Sequence, residues 1–223
     1  MIIKTPSNYR IVGKNIVIIT SAIITKSLFT PEERYQQSFK SIESVRLYIP
    51  ECTIVFVEMS DIPEEWMEKL SSMCDYFIFC GQDVRLQEIN AHTTSSPGEI
   101  ALLREVISHL ENPEKIYKLS GRYYLKESVP LEKFNYKKYN FLIGYDTEKV
   151  FHTTFYSMPV ENIDFLIEVL DNSYKMILSQ PGTGVEKAYA RLIPEYKINL
   201  LPYLACEGYI AGRFGGKKTL YQA

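Results

Sequence analysis

An α/β fold is predicted for this chain, and three observations carry the prediction. Short apolar runs of the kind buried on both faces of a sheet alternate with segments of helical period. Helix starts are marked by capping chemistry, most plainly at Thr30-Pro31-Glu32-Glu33. With 46% hydrophobic and 23% charged residues, 223 residues suffice to bury a full core, in one large domain or two intimately packed lobes.

The first strand is predicted at 16–20, a continuous β-branched run. Extended to residue 24 and preceded by Lys14, that run has the outline of a signal-peptide core. Thr20 and Ser21 interrupt it, however, and a helix start follows where a cleavage region would be needed. In that helix Thr30 is the N-cap, Pro31 takes the first helical position and Glu33 completes a capping box. Phe39, Ile42, Val45 and Leu47 recur at spacings near three as the apolar face, and Pro50 ends the element. A strand at 53–57 then closes a βαβ unit, whose crossover is expected to be right-handed.

A turn at 60–63 leads to a helix over 64–73 and a third strand at 76–80. The following connection, 81–96, is polar, holds Asn90, His92, Thr93 and Thr94, and is longer than a turn requires. Connections of that length often carry function. A helix over 98–110, with Ile100, Leu103, Val106, Ile107 and Leu110 apolar, feeds a strand at 115–119. Beyond residue 125 the alternation loosens. Strands at 141–145 and 150–157 suggest an antiparallel pair around Asp146-Thr147-Glu148, which makes the sheet mixed. A helix over 161–178, a flexible Pro181-Gly182-Thr183-Gly184 link, a helix over 186–193 ended by Pro194, and a last strand at 198–201 follow. The tail, 208–223, carries glycines with Arg213, Lys217 and Lys218.

Composition narrows the function. A net charge of −2 and a pI near 6.0 give no global basic field, so nucleic acid is not expected as a partner and any anion site must be local. Cys52, Cys74, Cys80 and Cys206 are scattered, without metal-finger spacing, and read as small buried hydrophobes in a reducing compartment. No run approaches the roughly 18 apolar residues of a membrane span. A soluble, cytoplasmic protein is expected.

The most telling stretch is Lys118-Leu119-Ser120-Gly121-Arg122-Tyr123, a cation pair around a glycine at a strand end. Glycine permits close backbone approach, arginine supplies a planar fork and lysine a point charge, which suits a diphosphate. The plainer alternative is a turn whose cations face water. Thr20 and Ser21 stand at the carboxyl end of the first strand, where open α/β sheets place ligands. Arg34 begins a helix, against the favourable sense of the helix dipole, which hints at an anion or at Glu58. Glu58 and Ser60 follow the second strand, where a carboxylate can accept from a ribose or base. A turn role suits Ser60 as well. Gly98 and Glu99 open the helix ahead of the Lys118 strand, and Glu99 also satisfies ordinary helix-start charge. His152, on a strand beside Thr153 and Thr154, is a candidate acid or base, or a satisfied structural histidine. Glu186 follows a glycine-rich loop at a helix start.

In the order of these elements the chain resembles small nucleotide-sugar glycosyltransferases of the GT-A fold, of the kind encoded in bacterial surface-polysaccharide clusters and by some large viruses. Glu33-Arg34, Gln36-Gln37, Val57-Glu58-Met59-Ser60, Gly98-Glu99, the stretch from Phe151 to Tyr156 and Gly184-Val185-Glu186 resemble that group's recurrent blocks, so the likeness spans most of the chain. It implies a Rossmann-like N-terminal half (1–125) that binds a nucleoside diphosphate sugar, and a smaller acceptor-side part (126–223) for a glycan or lipid-linked acceptor. The resemblance also implies that Glu186 is the acceptor-side general base. One departure stands out. The family's Asp-x-Asp, which holds a manganese or magnesium ion on the donor, is absent, and Ser120-Gly121-Arg122 occupies its place. Either scattered carboxylates bind the ion, or Lys118 and Arg122 neutralise the departing diphosphate instead. A non-catalytic sugar-nucleotide or glycan-binding module of the same fold is the alternative. A nucleotidyltransferase would need metal-binding carboxylates that are not evident.

Overall fold

The structure, a computed structural model, describes residues 2–4, 8–91, 96–127, 129–143, 151–180, 182–201, 206–211 and 218–222. The chain opens with β1 (Ile2–Lys4), β2 (Ile11–Val12) and β3 (Asn15–Ser21), followed by α1 (Pro31–Tyr48) and β4 (Thr53–Glu58). Next come α2 (Glu64–Met73), β5 (Tyr76–Phe79), α3 (Val84–Asn90), α4 (Ser96–Ile107), β6 (Leu110–Glu111), β7 (Lys115–Ser120) and β8 (Tyr123–Leu125). The rest comprises β9 (Tyr139–Ile143), β10 (Phe151–Met158), α5 (Ile163–Ser179), α6 (Val185–Leu192), β11 (Ile198–Leu201), β12 (Cys206–Ala211) and β13 (Lys218–Gln222).

Eight strands form the central sheet in the order β1-β5-β4-β3-β7-β10-β9-β11. β10 runs antiparallel to β7 and β9, and the other pairings are parallel. The mixed α/β architecture expected from the sequence is therefore present. From β3 the chain builds outward through β4 and β5, then returns to lay β7 on the other side of β3. The gap between the carboxyl ends of β3 and β7 is the point where strand order reverses, the position at which open α/β sheets receive ligands.

Apolar side chains on the two sheet faces enter two cores. Ile16, Ile18, Val55 and Val57 pack with α4, α5 and α6, while Val17, Ile19, Ile54 and Phe56 pack with α1 and α2. Burial on both faces is why these strands read as unbroken apolar runs. Cys52, Cys74 and Cys80 are free and buried, as expected. No helix of the described residues is long and apolar enough to cross a membrane.

The capping box at Thr30 forms: its hydroxyl accepts from the Glu33 amide at 3.2 Å, and the Glu33 carboxylate accepts from the Thr30 amide at 2.8 Å. The buried face of α1 differs from the expected one. Leu47 is 68% exposed, and Ser38, Ser41 and Ser44 are buried instead. The reason is β8. Ser41 donates to the Tyr123 carbonyl at 2.6 Å and Ser44 accepts from the Leu125 amide at 2.9 Å, so helix hydroxyls satisfy one edge of that strand. β12 pairs with β8 in antiparallel register and β13 with β12, giving the tail two strands that local pattern did not indicate.

Two further differences lie in the middle of the chain. The connection at 81–96 contains α3, started by Asp83, whose carboxylate accepts from the Arg85 amide at 3.0 Å. The helix expected to reach 110 stops at Ile107, and Leu110–Glu111 instead pairs with β2. His92, Thr93, Thr94, Asp146, Thr147, Glu148, Pro181, Arg213 and Lys217 lie outside the described residues.

Candidate active site

Helices that follow or precede parallel strands put their amino ends at the strands' carboxyl rim. The first turns of α1, α4 and α6 accordingly bring Arg34, Glu99 and Glu186 towards the ends of β3 and β7. Lys118 is the hub. It lies on β7, fully buried, and its ammonium meets Glu99 Oε1, Ser120 Oγ and the Thr153 carbonyl, each at 2.7 Å. The Tyr156 ring lies beneath it, 5.6 Å from the ring centroid to Nζ, and the Tyr156 hydroxyl is 3.0 Å from that of Tyr189. Burial presses both members of the Lys118–Glu99 pair towards neutrality, lowering the ammonium's affinity for its proton and raising the carboxylate's; their mutual attraction opposes both shifts.

Glu186 joins this network through Thr153, whose hydroxyl donates to Glu186 Oε1 at 2.7 Å. Thr153 is placed by an irregularity in β10. The register against β9 shifts between His152 and Tyr156, so that His152 faces Leu142 while Tyr156 faces Phe141. The extra residues leave the regular ladder, and the Thr153 carbonyl turns to Lys118 while its hydroxyl turns to Glu186. His152 stands immediately ahead of this bulge, half-buried.

These positions revise the expected role of Lys118. All three of its N–H donors are taken and the side chain is wholly enclosed, so it ties Glu99, Ser120 and Thr153 together and has no donor left for a ligand. Ser120, which accepts from it, belongs to the same network. Arg122 differs. Its guanidinium is half-buried beside the Tyr123 ring, 5.3 Å from the centroid, and among the described residues it forms no ion pair. Gly121 between them serves the fold: its amide donates to the Thr20 carbonyl at 2.8 Å, and a Cβ there would stand 3.1 Å from both Ser21 Cβ and Thr20 O. Gly98 likewise makes room, since a Cβ would meet Met59 Sδ at 3.0 Å.

Arg34 lies on α1, beside the Arg122 turn. Its Nε donates to the Ala22 carbonyl at 2.9 Å. Burial, reinforced by the neighbouring Arg122 guanidinium, brings it down to about 10. Ser38, one turn further along α1, donates to the Arg34 carbonyl at 3.1 Å and to the Gly121 carbonyl at 3.4 Å, which ties this helix face to the Arg122 turn. Ser21 Oγ is 3.5 Å from Ser38 Oγ.

Glu58 was expected to meet a nucleoside directly, but it is fully buried. Its Oε1 accepts from the Ile23 amide at 3.0 Å, from the Ser60 amide at 2.8 Å and from the Ser60 hydroxyl, while the Ser60 oxygen accepts from the Ile24 amide at 2.9 Å. Glu58 and Ser60 thus pin the loop that presents the Ala22 carbonyl to Arg34. Desolvation raises the Glu58 carboxyl above the ordinary 4.5. The folded chain therefore keeps this proton where the unfolded chain has released it, and stability falls as pH rises from that value towards the folded one. Replacing Glu58 with Gln keeps an acceptor and removes the ionisation. The melting temperature of Glu58→Gln relative to the parent is expected to be higher at about pH 8 than at about pH 5 in scanning calorimetry. Parallel curves would contradict this.

A divalent ion would need several oxygen ligands. Among the described residues no three or more His, Cys, Asp or Glu side chains gather for that purpose. At the Asp-x-Asp position Ser120 is occupied by an ammonium, Gly121 has no side chain and Arg122 is itself cationic. These residues do not fit a divalent metal.

No family model matches the chain, and no curated protein matches it by sequence. Solved structures do. The glycosyltransferase GlyE of Streptococcus pneumoniae TIGR4 aligns with 85% of this chain at a TM-score of 0.55 and 11% identity. The bifunctional glycosyltransferase WbbM aligns with 85% at 0.57 and 9%. A glycosyltransferase involved in glycosylation of the major capsid of PBCV-1 aligns with 85% at 0.51 and 9%, and 82% of its own length is covered. This chain spans 45% of GlyE and 39% of WbbM. The fold is GT-A-like, as the resemblance in the sequence implied.

Proposed function

We propose that this protein is a glycosyltransferase, moving a hexose-type sugar from a nucleoside diphosphate to a hydroxyl of a glycan or lipid-linked acceptor. One observation carries the reading. On a fold shared with glycosyltransferases, a chain of contacts runs from the Glu186 carboxylate through Thr153 to the buried Lys118–Glu99 pair, and Arg122 stands at the turn that follows Lys118 on the same strand. In the transfer step the acceptor oxygen forms a bond to the anomeric carbon as the bond to the diphosphate breaks. The acceptor proton passes to the Glu186 carboxylate, which Thr153 orients, while cationic side chains meet the charge gathering on the diphosphate. We read residues 1–125 as the donor half and 126–223 as the acceptor half. The buried free thiols suit the reducing cytoplasm.

The competing reading, a module that binds a sugar nucleotide or glycan without turnover, draws support from the missing Asp-x-Asp. A panel of nucleoside diphosphate sugars separates the two. At least one donor is expected to raise the melting temperature and to release nucleoside diphosphate slowly even without acceptor. Stabilisation without release identifies the module, and no response to any donor rejects both readings.

A further inference from the structure

We propose that Arg34 and Arg122 form a clamp that holds the diphosphate of the donor without a divalent metal, one guanidinium to each phosphoryl group. This deepens the transferase reading and rests on it for the identity of the ligand, though the clamp itself can be tested alone.

The argument starts from placement. Arg34 leaves the first turn of α1 and Arg122 leaves the turn after β7, so both stand at the reversal of strand order between β3 and β7. The Ser38 bond to the Gly121 carbonyl holds their two elements together. Neither arginine is a loose surface charge. Arg34 is fixed through Nε on the Ala22 carbonyl, which leaves its two terminal nitrogens to form a fork. The carbonyl is in turn set by the Glu58–Ser60 latch on the Ile23 and Ile24 amides. Arg122 is backed by the Tyr123 ring, 5.3 Å from the centroid, a contact that uses a face of the guanidinium and none of its in-plane N–H donors.

The second strand of argument is charge. Two half-buried guanidiniums stand near one another, and among the described residues neither has a carboxylate in ion-pair reach. Of the two carboxylates in this region, Glu99 is already answered by Lys118, and the buried Glu58 is engaged by Ser60 and the Ile23 amide. Bringing like charges together is unfavourable unless an anion is received between them. Two planar forks match two phosphoryl groups better than one. A divalent ion would enter as a further positive centre, and among the described residues no three or more His, Cys, Asp or Glu side chains gather to hold it. The Ser120-Gly121-Arg122 turn therefore does by fixed cations what the family's acidic motif does through an ion.

Inorganic pyrophosphate is the probe, titrated calorimetrically into the full chain in EDTA and again in manganese. Binding is expected in EDTA, with little change on adding manganese, and orthophosphate is expected to bind more weakly. Arg34→Gln and Arg122→Gln should each weaken pyrophosphate by roughly tenfold or more, and the lysine variants should recover part of the loss. Melting curves without ligand report whether each variant folds. Should Arg34→Gln fail to fold, Arg122→Gln, which breaks no hydrogen bond among the described residues, still decides the matter. Binding that requires manganese, or that survives the double glutamine variant, overturns the clamp. Pyrophosphate binding in EDTA with no turnover of any donor would leave the clamp standing and remove the transferase. Turnover that depends on manganese would do the reverse.

Discussion

Lys118→Met is expected to cost about 3–5 kcal/mol of unfolding free energy, because it strands the Glu99 carboxylate in a site built for an ion pair. For a chain of this size that corresponds to a fall in melting temperature on the order of 10 °C. The physical basis is the full burial of the ammonium and its three short bonds to Glu99, Ser120 and Thr153. Removing both charges is a different experiment. In Lys118→Met with Glu99→Leu the desolvation of two ions disappears along with their attraction, and a large part of the loss should return. Recovery stays incomplete, since the Thr153 carbonyl still lacks its donor, worth about 1–3 kcal/mol. Denaturant titrations of both single variants and the double variant close the cycle. A single variant as stable as the parent would mean that Lys118 is not the hub of this network.

Glu186→Gln carries the largest expected effect on activity. If this carboxylate takes the acceptor proton, transfer should fall by about 10²–10⁴-fold while donor affinity stays within error, because the amide keeps the shape and cannot accept the proton. The Thr153 bond at 2.7 Å fixes the carboxylate's orientation. Thr153 can also donate to the amide oxygen, so the variant should keep its fold. Initial rates of sugar transfer, with donor binding followed separately, test the assignment. Loss of donor binding in step with transfer would assign Glu186 to the donor instead.

Much of the scaffold was legible because its strands are buried on both faces. The runs at 16–20, 53–57, 76–80 and 115–119 needed no partner to be recognised, and the capping box at Thr30 announced α1 from local chemistry alone. What escaped was non-local. β12 and β13 matter because β8 offers an edge, and β8 in turn is satisfied by hydroxyls of α1, whose serines carry no apolar signal. α3 is a short helix within a polar stretch, where period gives little signal. The site followed the same division. Arg34, Glu99, Lys118, Arg122 and Glu186 were each singled out, yet sequence could not say that Lys118 points inward to Glu99 while Arg122 stays free. Strand alternation gives only a face, and both faces of β7 are buried. Thr153 was noticed only as a neighbour of His152. Its importance comes from a break in β10 register that no residue type advertises.

The placement of β10 between β7 and β9 also bears on how the chain assembles during synthesis. β3 can pair with β4 early, but its other edge waits for residues 115–120 to emerge. β9 must then wait again, since the strand that joins it to β7 is made after it. A nascent chain that has passed residue 143 therefore holds an unpaired apolar strand until residues 151–158 leave the ribosome, an interval of about a second at 5–20 residues per second. During that interval the forming sheet is open on the side where Glu186 and Thr153 will stand.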